Sequence, residues 1–241
     1  MKSRPVRAIR TLAGLANPRT WGPLVKTYEG TKFDHSFDFS WSQGGEDLGL
    51  ISALRGLSKG KYVDVGAHHP SRFSVTRKLY NLGWSGVNLE ANKSLLAAFE
   101  RDRPNDLNVW ACVGSEPEYR LTIFEEPALS TVNQEWRETY LRGNRKISSE
   151  ITVPGISLRE VFDKYLDSDF PDLLCVDAEG ADFDVIKSAN LTAGSGPEWL
   201  LLEADPPLSS VTQTPAVAHA LSLGYEIHLI MGMSTLLHMK L

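Results

Sequence analysis

The sequence predicts an α/β fold of the Rossmann-like kind, with a mainly parallel seven-stranded sheet covered by helices on both faces. Two observations carry that prediction. From residue 61 onward, short apolar runs alternate with stretches of helical spacing, the β-α repeat of a parallel sheet. A length of 241 residues with 42% hydrophobic content suffices to bury one sizeable core, so one domain is favoured over two.

In chain order, residues 46–57 place Leu48, Ile51 and Leu54 on one helical face, to pack beside the first strand. Strands are predicted over 62–65, 86–89, 107–113, 173–176, 199–203 and 225–230, and helices over 73–82, 94–101, 158–165, 183–189 and 215–223. Residues 119–124 alternate apolar and polar side chains, whereas 130–151 are polar, aromatic and charged without clear period. That marks 119–151 as an insertion, expected to form a lid over the site. Residues 231–241 carry no helix signal and are expected to return as a final antiparallel strand.

Composition excludes some classes. A formal charge of −5 and a pI near 5.7 argue against a protein that tracks nucleic-acid phosphates. Cys112 and Cys175 each sit in an apolar run, too few and too hidden for a disulfide framework, which fits a reducing cytosol. No stretch reaches the roughly 20 apolar residues of a membrane span, and the N-terminus lacks the apolar core of a secretory signal, so the expectation is a cytoplasmic protein.

Residues 1–40 read as a basic N-terminal extension to a domain over 41–241. The first 32 residues carry Lys2, Arg4, Arg7, Arg10, Arg19, Lys26 and Lys32 against Glu29 alone. A solvated leader is the simpler expectation, and peripheral contact with anionic lipid on the inner face of the membrane is the sharper one.

Chemistry is expected at the carboxyl ends of the strands, where open α/β sheets bind ligands. The first such end, Lys61-Tyr-Val-Asp-Val-Gly-Ala-His-His-Pro70, is a strand and tight turn in which Gly66 admits a ligand close to the backbone and Asp64 offers a carboxylate. The second strand ends in Glu90, 26 residues after Asp64, near the spacing at which an acid takes a ribose diol. The third brings Trp110 toward an adenine face, with a core position as its alternative. The first turn lacks the G-x-G-x-x-G that admits a pyrophosphate, which disfavours a dinucleotide. The Tyr-x-x-x-Lys pair, Tyr28 and Lys32, lies upstream of the first strand, where it has no dehydrogenase role. S-adenosylmethionine has no phosphate and needs only one close glycine, acceptors for its amino group and ribose, and an open path to the methyl.

Four segments in order resemble the FkbM family of methyltransferases over about residues 42–202: Ser42-Gln-Gly-Gly-Glu-Asp47, Val63-Asp-Val-Gly-Ala-His-His-Pro70, Gly83-Trp-Ser-Gly-Val-Asn-Leu-Glu-Ala-Asn92, and Leu174-Cys-Val-Asp-Ala-Glu-Gly-Ala-Asp-Phe-Asp-Val-Ile-Lys187. The resemblance implies a class I methyltransferase fold and S-adenosylmethionine-dependent O-methylation, typically of a hydroxyl on a sugar, glycolipid or secondary metabolite. By position it implies that Asp64, Gly66 and Ala67 form the methionine-side turn and that Glu90, with Ala91 and Asn92, holds the ribose. Asp177, Glu179 and Gly180 match the family's D-x-E-G strand end, while Ala178 stands where a β-branched residue is common.

A sugar hydroxyl is barely acidic, so its methylation benefits from a base. His68, His69, Asp177 and Glu179 lie at strand ends where one is needed; His68, Asp177 and Glu179 are the catalytic candidates, Asp177 also touching the cofactor. Asp177 and Glu179 share a face in extended geometry, and two carboxylates after an apolar run are costly without a purpose. Capping the helix near Ala181 is their structural alternative. An all-oxygen Mg²⁺ site from Asp177, Glu203 and Asp205 is a further expectation. In the insertion, Trp136, Arg137, Tyr140, Arg142 and Arg145 have the composition of a surface for a small-molecule or glycolipid acceptor. The competing readings are an NAD(P)- or nucleotide-sugar-binding oxidoreductase and a non-catalytic adenosyl-binding module.

Overall fold

Seven strands make the main sheet, in the order β3-β2-β1-β7-β8-β10-β9. They are β1 (Lys61–Val65), β2 (Ser85–Glu90), β3 (Leu107–Trp110), β7 (Leu173–Val176), β8 (Trp199–Glu203), β9 (Tyr225–Met231) and β10 (Ser234–Met239). All neighbours run parallel except β10, which is antiparallel to both β8 and β9. The expected final strand is therefore present, inserted between β8 and β9. The computed structural model describes residues 39–204 and 208–240, so the basic N-terminal segment, Tyr28, Lys32 and Asp205 lie outside the described residues.

Helices α1 (Glu46–Ala53), α2 (Arg77–Asn81), α3 (Leu96–Asp102), α4 (Gln134–Arg142), α5 (Leu158–Tyr165), α6 (Asp182–Lys187) and α7 (Pro215–Ser222) connect them. Local chemistry explains the clearest of these. Ser157 caps α5, accepting the Glu160 amide while the Glu160 carboxylate accepts the Ser157 amide, and Leu158, Val161 and Phe162 then fall on one buried face. Helix α7 opens on Pro215, whose missing N–H costs nothing at a first turn.

Alternation along the strands splits the core in two. Val63, Val65, Val87, Leu89 and Leu174 pack with Phe162, Ile186 and Val217 of α5, α6 and α7. Tyr62, Leu173, Cys175 and Leu201 face Leu50 of α1 and Leu79 of α2. Helices thus cover both faces, as parallel strands require.

Three stretches differ from expectation. The apolar run over 107–113 breaks at Ala111: β3 stays in the main sheet, while β4 (Cys112–Val113) turns off to pair with β6 (Ile147–Ile156). The helix expected over 73–82 shrinks to α2, because residues 66–76 are held as a loop. The aperiodic insertion is a β-α-β unit in which β5 (Glu118–Phe124) runs antiparallel to β6 and α4 lies between them. Among the described residues no helix is long and apolar enough to cross a membrane.

Candidate functional site

A cleft opens over the carboxyl ends of β1, β2, β7 and β8, the place where open α/β sheets take their ligands. Its floor is the turn after β1. Gly66 has φ +76°, and a Cβ there would collide with the Asp177 carbonyl oxygen, so only glycine lets the turn lie against the end of β7. The turn is stitched to β2: the Gly66 and Ala67 amides donate to the Leu89 carbonyl at 3.0 and 3.2 Å, and the His68 amide donates to Glu90 Oε2 at 2.8 Å. Glu90 Oε1 accepts the Asn92 amide at 2.6 Å. Burial pushes the Glu90 carboxyl up to about 7 despite those two amides.

The cleft has two chemical ends. Leu89, Ala91, Ala111, Cys112, Val113 and Leu121 make one end apolar. Asp177, Glu179 and Glu203 make the other acidic. Register places Asp177 and Glu203 at adjacent strand ends, one residue beyond the Val176–Leu202 pair, and their carboxyls hydrogen-bond each other, which requires a proton between them. Desolvation by the surrounding cleft walls raises both above the ordinary carboxyl range, aided at Glu203 by the charge of Asp177 and at Asp177 by that of Glu46. The bond from Glu203 opposes the rise at Asp177, which still meets solvent through the cleft mouth. Burial and the neighbouring Asp177 push Glu179 up to about 8.

The insertion closes over this acidic end. Asn133 caps α4 through the amides of Glu135 and Trp136, and its Nδ2 donates to the Gly180 carbonyl at 2.8 Å. Thr131 Oγ1 donates to the Glu179 carbonyl at 2.8 Å, and the Tyr140 hydroxyl donates to Glu179 Oε2. A Cβ on Gly180 would strike the Trp136 indole. On the other lip, Arg72 pairs with both oxygens of Glu126 at 2.8 Å.

Of the residues singled out from sequence, Gly66, His68, Glu90, Ala91, Asp177, Glu179 and Glu203 line the cleft together. Asp64 does not: its carboxylate accepts Thr76 Oγ1 at 2.6 Å, inside a buried network in which Arg103 also binds Thr76, Tyr62 and Asp106. Burial pushes Asp64 up to about 6, and Arg103 opposes it. Ala67 is buried behind the turn, and Asn92 caps the following 3₁₀ turn through the Ser94 amide. Trp110 faces a second groove, its indole donating to the Ala91 carbonyl, because the break at Ala111 hands the cleft wall to Ala111 and Cys112.

His68 Nε2 faces Arg72 Nη1 at 3.1 Å. Arginine only donates, so that lone pair is taken, and burial followed by Arg72 lowers the ring to about 4. His69 Nδ1 accepts the Ser71 and Arg72 amides as a cap. Among the described residues no group of three or more His, Cys, Asp or Glu side chains has a metal-holding arrangement. Sequence reading missed Gln43 and Met233 in the wall and the tie between Tyr140 and Glu179; Asn133, whose side chain caps α4, is the local feature that could have marked the start of that helix.

The family model described as the methyltransferase FkbM domain matches residues 64–210. A search of curated proteins returns no match. Among solved structures, precorrin-6y C5,15-methyltransferase from Geobacter metallireducens GS-15 is 15% identical, with 80% of this chain and 88% of that chain covered and a TM-score of 0.45. Ribosomal protein L11 methylase from Lactobacillus delbrueckii subsp. bulgaricus is 12% identical over 81% and 78%, TM-score 0.45. Aeropyrum pernix fibrillarin, solved with natively bound S-adenosyl-L-methionine, is 12% identical over 78% and 72%, TM-score 0.41.

Proposed function

Because the chain belongs to the FkbM methyltransferase family, we propose that it moves the methyl group of S-adenosylmethionine to a hydroxyl, that of a sugar in a glycolipid, glycan or secondary metabolite. Membership sets aside the oxidoreductase reading. The observation that carries the hydroxyl reading is Glu179, a cleft carboxylate that already accepts an O–H, from Tyr140.

The residues present fit the cofactor. The apolar end suits an adenine, Glu90 retains lone pairs for ribose hydroxyls beside its two amide bonds, and the acidic end suits a sulfonium and an ammonium. When bound there, the cofactor supplies an electrophilic methyl. This chain's residues then align the acceptor oxygen, exclude water and take its proton. In that transfer Glu179 would take the proton of the acceptor hydroxyl. Asp177 and Glu203, sharing one proton, would supply negative charge to hold a sulfonium at the acidic end.

The test is radiolabelled S-adenosylmethionine incubated with methyl glycosides and lipid-linked glycan extracts. Label in an alkali-stable methyl ether, lost with Glu179→Gln, supports the reading; label found only on nitrogen or carbon overturns it.

A further inference from the structure

Helix α4 touches the acidic end of the cleft through one polar side chain, that of Tyr140, and everything around that side chain holds it in place. Its ring meets Phe124 edge-on at 5.5 Å and 82°, and Trp136 at 5.5 Å and 66°. Trp136 fills the space left by the missing side chain of Gly180. Thr131 and Asn133 bind the carbonyls of Glu179 and Gly180, and Glu179 itself sits at φ +48°, a left-handed conformation that a non-glycine residue keeps only when its neighbours impose it. These contacts converge on one carboxylate. Its Oε2 is bound by Tyr140, and no described residue donates to its Oε1.

We propose that Tyr140 is a positioning residue for Glu179: its phenol fixes Oε2, leaving Oε1 for the acceptor hydroxyl, so that docking of the α4 lid and readiness of the base are one event. The inference rests on the reading of Glu179 as the base. Its physical core, a lid phenol that stabilises the ionised carboxylate, is nonetheless measurable without any acceptor. A neutral donor on a half-buried carboxylate favours the charged form, opposing burial and the charge of Asp177, which push the other way. Other groups facing this carboxyl are Asp182 at the start of α6, which also raises it, and Glu203 on β8. Among the described residues no arginine or lysine lines the cleft to compensate them. The phenol is therefore the one described side-chain donor that Glu179 has.

The experiment is a ¹³C NMR titration of the full chain labelled at glutamate side-chain carboxyls, with the Glu179 signal assigned by its loss in Glu179→Gln. Tyr140→Phe should raise the midpoint of that signal by about one unit, the size expected when a charged group loses one hydrogen bond. Thr131→Val, which loosens the same turn without touching the carboxylate, should leave it in place. Replacing Tyr140 by 3-fluorotyrosine, a stronger donor of nearly the same shape, should lower it, and this second arm decides the matter should Tyr140→Phe fail to fold. An unmoved midpoint in both Tyr140 variants, or an equal shift in Thr131→Val, overturns the proposal. Because nothing in the titration depends on methyl transfer, its failure is distinct from failure to find a methylated hydroxyl.

Discussion

The Glu90 carboxylate accepts the backbone amide of His68 at 2.8 Å, joining the acid that closes β2 to the turn that follows β1. The same side chain takes the Asn92 amide through its other oxygen. The two points proposed to hold opposite ends of an adenosyl-methionine are thus already tied together. Pre-organisation of this kind lowers the cost of ordering the site on binding.

Cofactor affinity should depend on pH through Glu90. Burial lifts this carboxyl to about 7, and ribose hydroxyls favour its ionised form, so affinity for S-adenosylmethionine should fall by about tenfold from pH 8 to pH 6. Calorimetry at several pH values should show a flatter profile in Glu90→Gln. Part of the slope survives, because Asp177, Glu179 and Glu203 titrate in the same direction against a cationic ligand.

The ligand-free protein should lose stability as pH rises above 6.5. Glu90 and Asp182 are raised to about 7 and Glu179 to about 8, each by burial first. An acid whose folded value exceeds its unfolded one binds extra protons when native, so its stabilising contribution is complete below about pH 4 and lost as pH rises through the folded value. His68, lowered to about 4, acts oppositely but is spent by pH 6.5. Thermal unfolding should give a lower Tm at pH 8.5 than at 6.5; a rise across that window contradicts the account.

Gly66→Ala should destabilise by about 3 kcal/mol, combining left-handed strain with a collision against a backbone carbonyl that cannot rotate aside. Urea unfolding measures it. A cost below about 1 kcal/mol means that the turn shifts freely, and the floor of the cleft is not fixed as described.

Gly180→Ala meets a side chain rather than backbone, displacing Trp136 from the turn, and adds left-handed strain at φ +90°. The lid should loosen while the sheet stays intact. Trypsin should cut faster after the exposed Arg142 and Arg145, with Tm changed by only a few degrees. Unchanged cleavage would show that α4 is held without that contact.

Much of the site was readable because it is local in sequence. Gly66 and Glu90 sit at strand ends, where the β-α-β pattern alone fixes their place, and Asp177 and Glu179 follow an apolar run that ends at the same edge. What was not readable depends on contacts between distant elements. Asp64 and Glu90 look alike in sequence, yet the strand directs Asp64 inward to Thr76 and Arg103. Helix α4 was hidden because it buries no residue: Trp136 and Leu141 remain 37% exposed, so no apolar stripe marks it. Trp110 was placed by assuming one continuous strand over 107–113, and the break at Ala111 turned its ring away from the cleft.

The most direct measurement is calorimetric titration of S-adenosylmethionine into the full chain and into Glu90→Ala. The wild type should bind, and loss of a charged acceptor for two ribose hydroxyls should weaken binding by on the order of 10- to 100-fold. Equal affinity in the two proteins, with both still folded, would contradict the placement of the cofactor between the first turn and the end of β2.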